Sequence, residues 1–189
     1  ARACEGVRFG GKTDPALIEE IFVARLGRPP SEAERAAFLD AYLTRLHGDL
    51  ARTGVEVLPG VVEALAWLAV RPDVLLGVAT GNVRAGADAK LAAAGLARYF
   101  ALGGYGSDSQ VRADLVAAAI RRGRERAEIH EVVVVGDTVH DITAARACSA
   151  IACAVATGSD PAEALGHADV VLAAMTELPG WHARRFGSS

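Results

Sequence analysis

The chain has 189 residues, a net charge of −3 and a hydrophobic content of 51%, which suit a globular protein with one core and at most a modest insertion. The slightly negative charge argues against a protein that binds nucleic acid or an anionic membrane surface. No apolar run is long enough to span a bilayer and no signal peptide is recognisable, so we expect no membrane partner.

The cysteines indicate a compartment. Three are present, Cys4, Cys148 and Cys153, and their spacing gives neither a CxxC pair nor a zinc motif. An odd number of cysteines without such a motif favours free thiols in a reducing environment. We therefore predict a cytoplasmic protein.

The first part of the chain has the pattern of two helices. The segment TDPALIEEIFVARLG has Asp14 as the expected N-cap, Pro15 at the first helical position and Gly27 as its end. The segment SEAERAAFLDAYLTRLHGDLART begins with Ser31 and Glu34, the two residues of a capping box. Both segments place apolar residues on one face, so they predict a helical hairpin.

From about residue 56, apolar runs alternate with helical patterns. The runs DVLLGVAT, EVVVVGD, IACAVATG and ADVVLAA predict strands, and YFALGGYGSD contains a further short one. Continuous apolar runs are typical of strands buried on both faces, and strands that alternate with helices predict a parallel sheet between two helical layers. We predict a doubly wound α/β core over residues 56–189 with a helical cap inserted over residues 14–55.

Polar residues follow three of the predicted strands. They are Thr80, Gly81 and Asn82 after the first, Ser107 and Asp108 after the second, and Asp137, Thr138 and Asp141 after the third. Because chemistry in such sheets takes place beyond the carboxyl ends of the strands, we expect these residues to meet at one rim.

Two aspartates four residues apart follow the run VVVVG, namely Asp137 and Asp141. Like charges this close repel each other, and a bound cation would offset the repulsion. Mg²⁺ suits the pair, because it takes one or two carboxylates and fills its other positions with water and phosphate oxygens. The alternative is structural, with Asp137 in a solvated turn and Asp141 as the N-cap of the next helix.

The residues after the first strand favour an anion site. The hydroxyl of Thr80 and the amides of Gly81 and Asn82 can donate hydrogen bonds at a helix start, and Arg112 offers a permanent cation at the start of a later helix. A metal ion, an anion cradle and a cation describe a phosphate site, where catalysis is mostly positioning and charge stabilisation. Taken one at a time, these residues read as an ordinary turn and a solvated arginine.

The segments LLGVATGN, AKLAAAGLARYFALGGYGSD and VVVVGDTVHDITAARA together resemble the haloacid dehalogenase-like (HAD) hydrolases, most of all phosphatases of the phosphoglycolate-phosphatase type with a small helical cap. The resemblance runs from about Gly10 to Leu178. It implies a HAD-like Rossmannoid parallel sheet with an inserted helical cap, and a Mg²⁺ ion held by Asp137 and Asp141.

The resemblance also implies roles in phosphate binding. Thr80 and the amides of Gly81 and Asn82 would bind the transferring phosphate, and a basic residue, usually lysine in the family, would stabilise it. We expect Arg112 in that role rather than Lys90, because Lys90 falls in the middle of a predicted helix, away from the rim.

Lys12 lies where the core joins the cap. In similar enzymes this region faces the active site, so Lys12 is a candidate contact for the part of the substrate that carries no phosphate. A solvated hinge lysine is the alternative.

The catalytic nucleophile of the resembled family is not in this sequence. It belongs to an Asp-x-Asp-Gly-Thr motif at the end of a first, central strand, and no Asp-x-Asp occurs in the 189 residues. In the family the first aspartate forms the aspartyl-phosphate and the second acts as general acid and base. Because a missing central strand leaves its neighbours unpaired, we expect a preceding segment of one strand and one helix, roughly 30 residues, with residues 1–13 as a linker from it.

The predicted function is Mg²⁺-dependent hydrolysis of a small phosphate monoester, a phosphorylated metabolite. Two alternatives stay open. One is another reaction of the same family, such as phosphoglucomutation or phosphonate cleavage, and the other is a non-catalytic phosphate-binding domain if the nucleophile motif is truly missing. The sequence indicates neither the individual metabolite nor an oligomeric state.

Overall fold

The computed structural model describes residues 10–158 and 160–187, so Cys4 and most of the predicted linker lie outside the described residues. The helices are α1 (Asp14–Leu26), α2 (Glu32–Thr53), α3 (Val61–Ala69), α4 (Arg84–Ala93), α5 (Arg112–Arg124), α6 (Val139–Ala147) and α7 (Leu178–Phe186). The strands are β1 (Gly77–Thr80), β2 (Leu102–Tyr105), β3 (Val133–Gly136), β4 (Ile151–Val155) and β5 (Val170–Leu172). No described helix has the length and apolarity that a membrane crossing requires.

Both predicted helices of the cap are present. The N-cap of α1 is Thr13, whose hydroxyl accepts a backbone hydrogen bond from the first turn, so the prediction of Asp14 as the N-cap was wrong by one residue. Gly27 ends α1 in the left-handed conformation, with φ 70°. Ser31 and Glu34 form the predicted capping box of α2.

The helical hairpin is lightly packed. Helix α1 buries three residues, Leu17, Ile18 and Ile21, whereas no residue of α2 is buried. The two helices meet through Phe22 and Phe38, whose ring centroids are 6.2 Å apart. Helix α2 also reaches the core, because a Cβ at Gly86 of α4 would lie 3.5 Å from the ring of Tyr42, an ordinary contact distance.

The strands are parallel, as predicted, and they form two groups. Strand β1 pairs with β2, while β3, β4 and β5 pair in that order. Among the described residues β1 and β3 do not pair with each other, and each has one unpaired edge. The helices join the two groups, because α5 packs on β1 and β2, α6 packs on β3 and β4, and α5 contacts α6.

Burial follows this division. Strands β2 and β4 are almost entirely buried, but neither β1 nor β3 contains a buried residue. The prediction that the runs around β1 and β3 are buried on both faces was therefore wrong for the described chain. Strands β2 and β5 also have one unpaired edge each among the described residues, so an unpaired edge alone does not explain the low burial of β1 and β3.

Two clusters of buried residues lie on opposite faces of β4. One contains Ala152 and Ala154 of β4 with residues of α6, and the other contains Cys153 with residues of α3, β5 and α7. Consecutive residues of a strand point to opposite faces, so β4 is the strand that is covered on both sides. Helix α7 was not predicted from the sequence; its Leu178 and Trp181 complete the second cluster.

Candidate active site

The turn between β3 and α6, Gly136–Asp141, is here called the β3 turn. Its Thr138 is the N-cap of α6. The Thr138 hydroxyl accepts from the amide of Asp141 at 3.3 Å and the Asp141 carboxylate accepts from the amide of Thr138 at 3.2 Å, which together form a capping box. Asp141 is therefore the third helical residue, and the alternative that it is itself the N-cap was wrong. This box fixes the turn that carries Asp137.

Asp141 is buried, with 6% of its surface exposed, and its carboxylate is fully engaged. Its Oδ2 accepts from the amide of Asp137 at 3.2 Å, the amide of Thr138 at 3.2 Å and the Thr138 hydroxyl at 2.8 Å. Its Oδ1 accepts from Nε of Arg112 at 2.8 Å and from Nη2 at 2.6 Å. A buried carboxylate needs such donors and a countercharge, and Arg112 supplies the countercharge.

Glycines make room for both aspartates. A Cβ at Gly136 would lie 2.3 Å from Cγ of Asp141, and a Cβ at Gly158 would lie 1.8 Å from Oδ2 of Asp137. Asp137 thus packs against the loop after β4. That loop also carries Asp160, whose carboxylate accepts from the first amide of α6 at 2.8 Å. Sequence reasoning missed Asp160, although it follows a predicted strand at the same rim.

The loop after β1, Thr80–Asn82, is here called the β1 loop. The Thr80 hydroxyl accepts from the amide of Asn82 at 3.2 Å, and the carbonyl of Asn82 accepts from the amide of Gly106 at 2.7 Å. Gly81 is required by close contact, because a Cβ there would lie 2.3 Å from the carbonyl oxygen of Lys12. The loop is therefore held from both sides by backbone.

The side-chain amide of Asn82 is hydrogen-bonded at both its nitrogen and its oxygen. Its Nδ2 donates to Oδ1 of Asp14 at 3.1 Å, and its Oδ1 accepts from Nζ of Lys90 at 3.0 Å. The expectation that Lys90 lies away from the rim was wrong. Side chains on a helix lean toward its N-terminus, and the long lysine stem carries the ammonium from mid-helix back to the β1 loop.

The cations of the predicted site differ in their partners. Arg112 begins α5, reaches Asp141 of the β3 turn and leaves 25% of its side chain exposed. Lys90 meets the β1 loop, as described above. The ammonium of Lys12 pairs with Glu20 of α1, so it lies on the cap side of the junction. Arg112 is thus the cation beside the aspartates, and Lys90 is the cation beside the β1 loop.

The residues after β2 hold that strand's end in place. Both nitrogens of the Arg122 guanidinium fork donate to the carboxylate of Asp108, at 2.7 and 2.8 Å, and the amide of Tyr105 donates to it at 2.9 Å. The hydrogen bond from Arg122 is the largest cause that lowers the pKa of Asp108 to about 2. The Ser107 hydroxyl accepts from the first amide of α4 at 3.1 Å. Both side chains support the loop rather than face a ligand.

The β1 loop and the β3 turn flank one stretch of chain, residues 11–13. The carbonyl of Lys12 lies against Gly81, and a Cβ at Gly11 would lie 2.2 Å from the ring of His140. The carboxyl ends of β1 and β3 therefore border the same rim. The predicted residues fall into two groups on either side of it, with Thr80, Gly81, Asn82 and Lys90 in one and Arg112, Asp137 and Asp141 in the other.

The donors of the β3 turn fit Mg²⁺ chemically. Mg²⁺ accepts one or two carboxylates and keeps water or phosphate oxygens in its other positions. The carboxylates of this turn are Asp137 and Asp141, and five donor groups hold that of Asp141 in place. Over residues 10–158 and 160–187 no cluster of three or more His, Cys, Asp or Glu residues could hold a metal. Water and phosphate would supply most of the ligands.

The family model for the haloacid dehalogenase-like hydrolases matches residues 7–149. The chain belongs to this family, which confirms the resemblance read from its motifs.

A curated relative and two solved structures are similar to the chain. The probable phosphatase IndB of Dickeya dadantii (strain 3937) is 34% identical over 134 residues, which are 66% of this chain and 55% of IndB. CbbY from Rhodobacter sphaeroides, solved in complex with phosphate, has a TM-score of 0.70 and 21% identity over 88% of this chain and 75% of its own. A putative β-phosphoglucomutase from Bacteroides vulgatus has a TM-score of 0.66 and 16% identity over 93% and 72%.

These likenesses differ in what they establish. The two structures confirm the predicted HAD-like fold. They establish nothing beyond the fold, because their sequence identities to this chain are only 21% and 16%. The chain spans about half the length of IndB, with 55% of that protein covered.

Proposed function

We propose that the full-length protein is a Mg²⁺-dependent phosphatase, which hydrolyses a small phosphate monoester through an aspartyl-phosphate. The proposal is carried by one observation: the β3 turn, the guanidinium of Arg112 bound to it and the β1 loop lie at the same rim of the sheet. The ion pair of Arg112 with Asp141, at 2.6 Å, brings the start of α5 to the β3 turn. IndB is named a probable phosphatase, and this name supports the proposal.

The nucleophile would come from a strand between β1 and β3. These strands have unpaired edges and no buried residue among the described residues, so one parallel strand could pair with both. Its carboxyl end would then lie between the β1 loop and the β3 turn. A carboxylate at that end would attack phosphorus, the alkoxide would leave with a proton from a neighbouring acid, and water would hydrolyse the aspartyl-phosphate.

The described residues would bind and orient the phosphoryl group. Two of the N–H groups of Arg112 donate to Asp141, and a guanidinium has five, so others can meet phosphate oxygens. The Thr80 hydroxyl and the amide of Gly81 would contact the remaining oxygens from the opposite side, and the amide of Asn82 would join them by turning from the Thr80 hydroxyl, to which it donates. Mg²⁺ held by Asp137 would supply charge neutralisation on the phosphoryl oxygens.

The hairpin of α1 and α2 supports a small substrate. Because a two-helix cap covers little area, we place a phosphorylated metabolite of phosphoglycolate type under it, with Lys12 beside the part that carries no phosphate. Cys148 and Cys153 are free thiols, which agrees with a reducing compartment, and we propose the cytoplasm.

The experiment is a phosphate-release assay on the full-length protein with an aryl phosphate, in Mg²⁺ and in EDTA, with the matching aryl sulfate as a control. We expect release from the phosphate ester in Mg²⁺ alone. Absence of Mg²⁺-dependent release would contradict the proposal. Isomerisation of a phosphosugar without release would then identify a mutase, and phosphate binding without turnover would identify a non-catalytic domain.

A further inference from the structure

The carboxylate of Asp14 links the first turn of α1 to the β1 loop. Its Oδ1 accepts from Nδ2 of Asn82 at 3.1 Å, and its Oδ2 accepts from the amide of Val83 at 2.8 Å. The amide of Asp14 donates to the carbonyl of Gly81 at 2.7 Å. Three consecutive residues of the core thus bond to one residue of the cap, almost 70 positions earlier in the chain.

These bonds serve the start of α4 as well. The N-cap of α4 is Val83, whose side chain makes no capping hydrogen bond. Asp14 places a negatively charged hydrogen-bond acceptor at this helix start. The first backbone amides of a helix have no partner within the helix, and the helix dipole is positive at this end, so both favour such an acceptor. Hydrogen bonds to an ionised acceptor are stronger than neutral ones, so the link stabilises the loop more than an amide at position 14 would.

Asn82 is oriented by the same arrangement. Its amide nitrogen faces the carboxylate of Asp14, and its amide oxygen faces the ammonium of Lys90. A flipped amide would put its nitrogen against the ammonium and its oxygen against the carboxylate, so only one orientation satisfies both partners. The negative charge also acts on the cap, where burial first and Asp14 second raise the pKa of Tyr42 in α2.

We propose that Asp14 is a positioning residue of the active site. It holds the β1 loop in the geometry that receives phosphate, through Asn82 and Val83, and it fixes the first turn of the cap to that loop. This inference rests on the proposed function, in which the β1 loop binds the phosphoryl group.

The test is Asp14→Asn in the full-length protein. Asparagine keeps the shape but replaces one acceptor by a donor, which must face either the Val83 amide or the Asn82 nitrogen. We expect the affinity for inorganic phosphate in Mg²⁺, measured by calorimetry, to fall about tenfold, with an equal rise in KM for an aryl phosphate. The control is Asp88→Asn on α4, where the carboxylate is 57% exposed and 3.7 Å from Arg84. It should change neither value.

A second variant separates positioning from folding. Exchanging the two groups, Asp14→Asn with Asn82→Asp, lets the new carboxylate accept from both the new amide and Lys90, while the amide oxygen accepts from Val83. We expect this double variant to recover at least a third of the lost phosphate affinity, whereas a merely structural role predicts a changed melting temperature with unchanged affinity.

The outcomes are distinguishable. Wild-type affinity for phosphate in a folded Asp14→Asn protein would overturn the inference. If that variant does not fold, a folded double variant with less than a tenth of the wild-type affinity would overturn it. Phosphate binding by the wild type without turnover would contradict the proposed phosphatase and leave the affinity comparison to decide on Asp14. Neither binding nor turnover would overturn both.

Discussion

The ion pair between Arg112 and Asp141 should make a measurable contribution to folding. Asp141 is 6% exposed and the side chain of Arg112 is 25% exposed, so the pair is largely removed from water. In Arg112→Met, Oδ1 of Asp141 loses both of its donors, while Oδ2 keeps three.

The loss of stability in Arg112→Met depends on the donors that Asp141 keeps. Removing one partner of a fully buried pair costs about 3–5 kcal/mol, because a buried charge is left without compensation. Here three donors persist and the arginine is partly exposed, so we expect Arg112→Met to lower the free energy of unfolding by about 2 kcal/mol. Asp141→Asn removes the charge, and in its presence Arg112→Met should cost about 1 kcal/mol less than in the wild type.

The assay is urea unfolding of the four proteins of this double-mutant cycle, at pH 7 in EDTA and without phosphate. Arg45→Met is the control, because Arg45 and Asp49 form an exposed pair at 3.6 Å that should contribute less than about 0.5 kcal/mol. If the coupling between positions 112 and 141 is no larger than the loss in Arg45→Met, the pair does not support the β3 turn as described.

Three further predictions concern stability and reactivity. Asp108→Asn should lower the free energy of unfolding by about 1 kcal/mol at pH 7. Because Arg122 lowers the pKa of Asp108 in the folded protein from 3.8 to about 2, this difference from the wild type should vanish as the pH falls through that range. Urea unfolding midpoints of both proteins, measured against pH, test this. Burial raises the pKa of Cys153 to about 12, so a thiol reagent at pH 8 should label it only in denaturant, and mass spectrometry of the native protein would show a modified Cys153 if this is wrong. Gly104→Ala should strongly destabilise the folded protein, because its Cβ would lie 1.8 Å from a backbone carbonyl oxygen of α5. Gly48→Ala, in open space on α2, should stabilise the folded protein by up to about 1 kcal/mol. Thermal melts in which both variants have the midpoint of the wild type would contradict both expectations.

Several local signals in the sequence predicted the structure correctly. Ser31 and Glu34 predicted the capping box of α2, and Gly27 predicted the end of α1, because each depends on atoms within a few residues. Alternation of apolar runs and helical segments predicted the parallel strands, and the motifs around Asp137 identified the family.

Long-range partners were not predictable. Asp14 was predicted to cap its own helix, but its carboxylate is used by Asn82 and Val83, and nothing near it in the chain signals this. Lys90 was judged from its position in the helix, although its stem reaches back to the β1 loop. One failure was local: the N-cap of α6 is Thr138 and not Asp141, and both residue types are good N-caps.

Helix α7 shows a further limit. Its sequence, LPGWHARRF, has Pro-Gly at the second and third positions, a pair that usually marks a turn. Packing against α3 and β5 through Leu178 overrides this local preference.

We propose that the β3 turn binds a catalytic Mg²⁺ through Asp137. Turnover of an aryl phosphate by full-length Asp137→Asn tests it most directly, because asparagine keeps the shape and removes the charge. We expect a loss of about three orders of magnitude, the equivalent of roughly 4 kcal/mol of transition-state stabilisation, with an unchanged or higher melting temperature in EDTA as repulsion from Asp141 is relieved. Near-normal Mg²⁺-dependent turnover in Asp137→Asn would contradict the claim.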